Sequence, residues 1–181
     1  MASYLEDMPA MLFVIFIVSA ILDINEASSC CPDGWITYKQ SCYLFADEQK
    51  LDWNEAVSYC RIKKGELVTI ETETENRFIK YFTNKLYKPE LPQHNITAFW
   101  IGASDSDIEG IWKWVATDAE LTFVEWNTNE CHNLIRPQPE VIPTNKQDCV
   151  ALNGAYGFCW SDGVCTARVG YALCEKKYVH V

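Results

Sequence analysis

The sequence predicts an α+β domain stabilised by disulfide bonds, with two helices in its first half and antiparallel strands in its second half. Three observations carry this prediction. Two capping-box patterns precede amphipathic helical runs, strand-like runs cluster after residue 97, and nine cysteines lie between Cys30 and Cys174. With 181 residues and 13% aromatic content, the chain can form one well-packed domain and does not have the composition of a disordered protein.

The first 29 residues are predicted to be a secretory signal peptide with an uncertain cleavage site. Residues 11–22 form an unbroken apolar stretch, which is shorter than the roughly 17–25 residues that a membrane-spanning helix needs. Glu6 and Asp7 precede this stretch, where a signal peptide usually carries basic residues, so a signal anchor is the alternative. We expect residues 30–181 to form the mature domain of a secreted, extracellular protein without a membrane span.

Charge and motif content exclude several classes of function. A net charge of −10 argues against a nucleic-acid partner, because phosphate binding requires clustered Lys and Arg. Removal of residues 1–29 takes away four acidic residues and no basic one, which leaves −6. The chain has no Cys-x-x-Cys pair, no Gly-x-Ser-x-Gly and no His-Glu-x-x-His, so we expect neither a zinc ribbon nor an enzyme.

The one standard glycosylation sequon begins at Asn95.

The first predicted elements are a hairpin and a helix. Pro32-Asp33-Gly34 supplies turn residues for a hairpin over residues 31–45. Asp52 and Glu55 form a capping-box pattern at the start of a helix that Gly65 ends. A short strand, residues 66–70, follows. The residues that share the apolar face of this helix are Trp53, Ala56, Val57 and Cys60.

The second helix and the later strands come next. Thr72 and Glu75 repeat the capping-box pattern, and Phe78, Ile79 and Phe82 are predicted to face inward. Strand-like runs cover residues 98–104, 111–116, 148–153, 157–162 and 169–174. Residues 117–147 form a long irregular stretch between the second and third of these runs, and loops of such length are usually functional or disordered.

Short motifs occur in a fixed order between residues 31 and 176. They are Cys31-Pro-Asp-Gly-Trp35, Cys42-Tyr43, Trp53 with Cys60, Trp100-Ile-Gly-Ala103, Trp112-Lys-Trp114, Asp148-Cys-Val150, Trp160-Ser-Asp162, Cys165 and Ala172-Leu-Cys174. Together they resemble the C-type lectin-like domain family, and the compact layout looks most like secreted single-domain lectins, including the perlucin-like group. The resemblance implies two helices with antiparallel sheets and a long irregular binding loop.

The resemblance also implies a disulfide framework. Three cysteines remain outside it, namely Cys30, Cys131 and Cys159. Our hypothesis pairs Cys131 with Cys159 and leaves Cys30 to link two chains as a homodimer, whereas a buried free thiol or a mixed pairing among the three is the alternative. The implied disulfides are Cys31–Cys42, Cys60–Cys174 and Cys149–Cys165.

The resemblance places a calcium and sugar site in the long loop. Gln138-Pro139-Glu140 stands where the family has a Glu-Pro-Asn or Gln-Pro-Asp tripeptide, so Pro139 is expected to follow a cis peptide bond that turns both flanking side chains toward one ion. The predicted calcium ligands are Gln138, Glu140, Gln147, Ser161 and Asp162. The predicted carbohydrate-binding residues are Gln138, Glu140, Asp162 and Trp160.

The predicted site departs from the family pattern in its charge. Gln147 stands where a Glu is expected and Ser161 where an Asn is expected, so only Glu140 and Asp162 carry formal charges. Fewer carboxylates weaken a calcium site, and we expect a dissociation constant of roughly 10⁻⁴–10⁻³ M. Within the family, a tripeptide that begins with Gln goes with galactose-type glycans, and such sites place an aromatic residue against the sugar. The candidates are Tyr156, Phe158 and Trp160, of which Trp160 is included in the predicted site, and a core position is the alternative for each.

Two functions follow from the resemblance. The first is a secreted, calcium-dependent lectin that binds galactose-type glycans in innate recognition or agglutination, where dimerisation through Cys30 would raise avidity. The second is a calcium-independent lectin-like module that binds a protein or a mineral, as in shell matrix or venom. The compact single-domain layout, the short leader and the Gln-Pro-Glu tripeptide in the long loop favour the first.

Overall fold

A computed structural model describes residues 31–87, 98–128, 138–139 and 146–177, which lie in one compact unit, Cys31–Tyr178. The predicted α+β fold with two helices is confirmed. The helices are α1 (Trp53–Ile62) and α2 (Glu73–Tyr87). The strands are β1 (Ile36–Tyr38), β2 (Ser41–Phe45), β3 (Glu66–Leu67), β4 (Ala98–Ser104), β5 (Lys113–Trp114), β6 (Cys149–Asn153), β7 (Cys159–Gly163) and β8 (Gly170–Lys177). None of the helices in these ranges is long and apolar enough to cross a bilayer.

The strands form a mixed sheet in which the last strand lies in the middle. Their order is β1-β2-β8-β4-β6-β7, with β3 paired to β8 and β5 paired to β4. The described pairings are antiparallel, as predicted, except that β4 and β8 run parallel, with Trp100 opposite Ala172. The parallel pair arises because β8 enters the sheet between β2 and β4, and β2 already fixes its direction.

Helix α1 has the predicted cap and the predicted buried face. The Asp52 side chain accepts a hydrogen bond from the Glu55 N–H at 2.8 Å, and the Glu55 carboxylate accepts one from the Asp52 N–H at 2.9 Å. Its four buried residues are those of the predicted apolar face: Trp53, Ala56, Val57 and Cys60. Cys60 forms a disulfide with Cys174 of β8, so the helix is attached covalently to the central strand.

Helix α2 has a different start from the one predicted. The Thr72 hydroxyl accepts a hydrogen bond from the Glu75 N–H at 3.3 Å, as a capping box requires, but the Glu75 carboxylate accepts from the Glu71 N–H and from the Tyr43 hydroxyl. Glu75 therefore joins the helix to the β2 strand as well as capping it. Phe78 and Phe82 pack against the core from the sequence-predicted face, and Ile79 is fully buried.

The three disulfides implied by the resemblance are confirmed. Cys31–Cys42, Cys60–Cys174 and Cys149–Cys165 have Cα separations of 5.5, 5.3 and 5.2 Å, within the range for disulfides. Cys159 is also disulfide-bonded. Its hypothetical partner Cys131, like Cys30, lies outside the described residues.

Three buried indoles hold the core together through hydrogen bonds. Trp53 donates to the Ile101 carbonyl at 2.9 Å, Trp100 donates to the Leu51 carbonyl at 2.9 Å, and Trp160 donates to Asn76 Oδ1 at 3.0 Å. Each bond satisfies the one polar atom of a side chain whose large apolar surface drives folding. The indoles thus connect α1 to β4, the segment before α1 to β4, and α2 to β7.

Gly65 provides a test of how closely the end of α1 approaches β8. A Cβ at this position would lie 2.6 Å from the Glu175 carbonyl oxygen and 3.1 Å from the Trp35 ring. We expect Gly65→Ala to lower the free energy of unfolding by about 1–3 kcal/mol, because backbone must shift to admit the methyl group. Denaturant unfolding monitored by tryptophan fluorescence measures the change.

Gly163→Ala is the matched control for this substitution. Its Cβ would meet nothing closer than the Trp100 ring at 3.4 Å, an ordinary contact, so we expect a change within about 0.5 kcal/mol. Equal stability of the two variants would contradict the close approach of α1 to β8.

Candidate functional site

The candidate site lies where three neighbouring strands meet one edge of the sheet. Ser104 at the end of β4 and Gly163 at the end of β7 both pair with Cys149 at the start of β6. Residues just beyond or just before these positions therefore come together, although they are far apart in the sequence. They are Asp105 after β4, Gln147 and Asp148 before β6, and Asp162 in β7.

Gln138 reaches this edge from the long loop. Its N–H donates to the Asn127 carbonyl at 3.0 Å, and its side-chain Oε1 accepts from the Asp162 N–H at 3.3 Å. The peptide bond between Gln138 and Pro139 is cis. The structure thus brings together two of the five residues predicted to bind calcium, Gln138 and Asp162.

The other predicted ligands have different positions. Ser161 precedes Asp162 in β7, is buried, and pairs with Ala151 of β6. Gln147 is half-buried, two residues before Cys149, and is therefore close to the same sheet edge. Glu140 lies outside the described residues, as does the predicted glycosylation site Asn95.

Trp160 was wrongly predicted to contact sugar. Its side chain is fully buried, with 0% exposure, and its indole N–H is already bonded to Asn76 of α2. The rings of Trp114, Phe123 and Trp126 pack edge-on around it, with centroids 5.9–6.0 Å away. Alternate side chains of a strand point to opposite faces of the sheet, and Trp160 lies on the face that points into the core. Trp160 therefore fixes the position of β7 and has no exposed face for a ligand.

Asn127 lies beside the site and has a buried amide that lacks hydrogen-bond partners. Its backbone N–H donates to the Trp160 carbonyl at 2.8 Å, and its carbonyl accepts from the Gln138 N–H. Its side chain is 0% exposed, yet neither Oδ1 nor Nδ2 has a hydrogen-bond partner among the residues that the structure describes. Because an unsatisfied buried amide costs free energy, this position favours a polar ligand or water next to the Gln138 backbone.

Asp105 is a second buried polar group at this edge. It is 4% exposed, and its Oδ2 accepts from the Gly110 N–H at 2.8 Å. Within the described part of the chain, Oδ1 has no hydrogen-bond partner. Burial raises the pKa of the Asp105 carboxyl above its ordinary value, and the charges of Glu109 and Asp148 raise it further against the effect of the Gly110 bond. A cation at this edge would relieve that repulsion.

Carboxylates alone do not form a metal site in the described part of the chain. There, no three His, Cys, Asp or Glu side chains form a group that could hold a metal ion. A calcium ion bound here would therefore need amide, hydroxyl or carbonyl oxygens in addition to carboxylates, which is the donor set that calcium accepts.

Sequence reasoning missed Asp105, Glu109 and Asn127. Asp105 carried a readable signal, since it directly follows the predicted strand 98–104 and an acidic residue there marks a strand end with an oxygen ligand. Glu109 lies further along the loop, and its effect on Asp105 is recognised only from the structure. Asn127 carried none, because it follows Trp126 in a stretch without periodicity and is recognised only from its burial.

Comparison with known proteins connects this architecture to a family. The family model for the lectin C-type domain matches residues 49–176. A perlucin-like protein from Mytilus galloprovincialis is 30% identical over 161 residues, which are 88% of this chain and 92% of the relative. Human asialoglycoprotein receptor 2 is 31% identical over 150 residues, which are 82% of this chain and 42% of the receptor.

A solved structure shows the same likeness. The mouse scavenger receptor C-type lectin carbohydrate-recognition domain aligns with a TM-score of 0.64 at 27% identity, over 83% of this chain and 99% of that domain. The range matched by the family model, residues 49–176, includes both helices and the segments that carry Gln138 and Asp162.

Asp105→Asn tests the buried carboxyl through the pH dependence of stability. A raised pKa in the folded state means that the folded protein binds more protons than the unfolded one between the two pKa values, so Asp105 lowers stability as pH rises through that window. In EDTA we expect the variant to gain stability relative to wild type as pH rises from about 4 to 7. Thermal unfolding at each pH measures this.

Asp107→Asn is the control, because Asp107 is exposed and lies two residues away on the same loop. Its stability should run parallel to that of wild type at every pH. Parallel curves for Asp105→Asn as well would show that the Asp105 carboxyl is not destabilised by its surroundings.

Proposed function

Because this chain belongs to the C-type lectin domain family, we propose that it is a glycan-binding lectin whose calcium and sugar site surrounds Gln138 and Asp162. The observation that supports this most directly is the hydrogen bond from the Asp162 N–H to Gln138 Oε1, which joins the long loop to β7. The scavenger receptor domain that the chain resembles is by name a carbohydrate-recognition domain.

The residues at the site fit a weak calcium ion. Gln138 offers an amide oxygen, Ser161 a hydroxyl and Asp162 a carboxylate, and Glu140 and Gln147 complete the proposed set. When bound, calcium would accept sugar hydroxyls as further oxygen ligands. The unpaired amide of Asn127 and the unpaired Oδ1 of Asp105 support a polar or cationic ligand at the same edge. The side-chain oxygens of Gln138 and Glu140 would accept hydrogen bonds from the bound hydroxyls.

Galactose-type glycans are the proposed ligands. This rests on Gln138 as the first residue of the tripeptide, and one relative is by name an asialoglycoprotein receptor. With Trp160 buried, the aromatic partner for the sugar must be another residue. Trp126 is half-buried, stacks edge-on against Trp112 at 4.9 Å, and directly precedes Asn127, so we assign that role to it.

The wider biology is part of the same proposal. Residues 1–29 would direct secretion, Asn95 would carry a glycan, and Cys30 would link two chains so that paired sites raise avidity for microbial or cellular glycans. These three features lie outside the described residues, and the sequence supports them.

Asp162→Asn tests the lectin site. We expect the wild-type chain to be retained on immobilised galactose in calcium and released by EDTA, and calorimetry to show weak calcium binding. Removing the one charge that Asp162 contributes should weaken calcium binding by about tenfold or more and abolish retention on the column.

Asp33→Asn is the matched control, because Asp33 is an exposed aspartate in the β1–β2 hairpin region, before β1. It should keep calcium and galactose binding unchanged. Wild-type protein that shows no calcium heat and ignores galactose and mannose columns, but binds a protein or calcium carbonate, would establish the calcium-independent module instead.

Cys30→Ser tests the proposed link between chains. On a non-reducing gel we expect the mature wild-type protein to migrate as a dimer and Cys30→Ser to migrate as a monomer, with equal mobility of both under reduction. Identical wild-type mobility with and without reductant would exclude the interchain bridge and leave the lectin proposal intact.

A further inference from the structure

A basic groove lies on β8, apart from the site around Gln138 and Asp162. Five of the 15 basic residues of this acidic chain fall in two short segments, 61–64 and 176–177, which are more than 100 residues apart in the sequence. The fold brings both segments to one groove of about 440 Å³. Its basic lining residues are Arg61, Lys64, Lys176 and Lys177.

The end of α1 forms one wall of this groove. Lys64 has a positive φ of 60°, the left-handed conformation common just after a helix, and its N–H donates to the Arg61 carbonyl. Gly65 then passes so close to Glu175 that no Cβ would fit between them. The Cys60–Cys174 disulfide fixes the same contact covalently, so the two basic segments are held side by side.

Two lysines of the groove, Lys64 and Lys176, have no acidic partner among the described residues. Lys176 donates to the Lys63 carbonyl at 3.2 Å and lies over the Trp35 ring at 4.9 Å, while Lys63 lies over the Tyr59 ring at 5.3 Å. Neither Lys64 nor Lys176 forms an ion pair with the residues that the structure describes. Their charges are therefore available to a ligand.

The carboxylates of the groove are occupied by other groups. Glu66 pairs with Arg61 at 3.1 Å. The buried Glu175 carboxylate accepts from the Ser41 hydroxyl at 2.6 Å and from the Thr69 N–H at 3.3 Å, so it is directed into the domain. The formal charge of the lining is thus positive in a chain whose net charge is strongly negative.

We propose that this groove binds the sulfate groups of a sulfated polysaccharide, independently of calcium. An open groove whose lining carries more basic than acidic side chains suits a chain with repeated sulfates, because each sulfate can exchange solvent counterions for a fixed ammonium group. A membrane surface is the less suitable partner, since the groove lining contains no large apolar side chain to enter lipid.

The test compares dextran sulfate with uncharged dextran in EDTA, which removes any contribution from the calcium site. In 50 mM NaCl we expect binding to dextran sulfate only, weakening as salt rises. The double variant Lys64→Asn with Lys176→Gln should raise the dissociation constant by about tenfold or more, because it removes two unpaired charges. Asn tolerates the left-handed backbone at position 64.

Arg77→Gln with Lys85→Gln is the matched control, because it removes two exposed charges from α2 and leaves the groove intact. Its dissociation constant should stay within about twofold of wild type. If the double groove variant fails to fold, Lys64→Asn alone should still weaken binding by about threefold.

Several results would overturn the groove proposal. They are equal weakening by both charge-removing pairs, binding to uncharged dextran, and binding to phosphatidylserine vesicles without binding to dextran sulfate. Inorganic sulfate at matched charge should compete only weakly with dextran sulfate. Full competition would show that the groove binds single anions and not a sulfated polysaccharide. Calcium-dependent galactose retention is measured on the same variants and should not change, so failure of either proposal is distinguishable from failure of the other.

Discussion

The position of β8 in the middle of the sheet is the constraint on which the rest of the structure depends. This last strand pairs with β2, β3 and β4 at once. Its first residue accepts a hydrogen bond from the Leu51 N–H at 2.7 Å, and Gly170 leaves no room for a Cβ beside the Trp100 indole, 2.8 Å away. The central pairings therefore require β8 to be present, and the Cys60–Cys174 disulfide attaches that strand covalently to α1.

A partly buried polar network connects α2 to the strand that carries the candidate glycan site. Trp160 of β7 bonds to Asn76 of α2, Asn76 bonds to Glu125, and Lys80 pairs with Glu125 at 2.9 Å. The backbone N–H of Trp160 also donates to the backbone carbonyl of Glu125. Ser161 and Asp162 directly follow Trp160 in β7. The contacts of Trp160 with α2 therefore fix the position of the strand that carries the site residues.

Local signals in the sequence were sufficient for the helices but not for the long-range contacts. The Asp52–Glu55 capping box and the apolar face of α1 agree with the structure because both depend on residues within one or two turns. Helix α2 departs from its pattern at Glu75, which a distant tyrosine, Tyr43, engages. The disulfides followed from the resemblance, whereas the parallel pairing of β4 with β8 depends on insertion of the last strand, which no local pattern encodes.

The same reasoning explains the errors at the site. In the sequence, an aromatic residue that contacts a sugar and one that lies in the core look the same when they stand next to predicted ligands. Only the packing of Trp114, Phe123 and Trp126 around Trp160 shows that Trp160 is a core residue.

Net charge is a misleading guide to ligand binding for a similar reason. At physiological ionic strength charges are screened over about 8 Å, so a ligand near Lys64 and Lys176 responds to those ammonium groups more than to the −10 of the whole chain. Recognition on this domain is therefore decided by local charge, which tertiary contacts create from segments that are separate in the sequence.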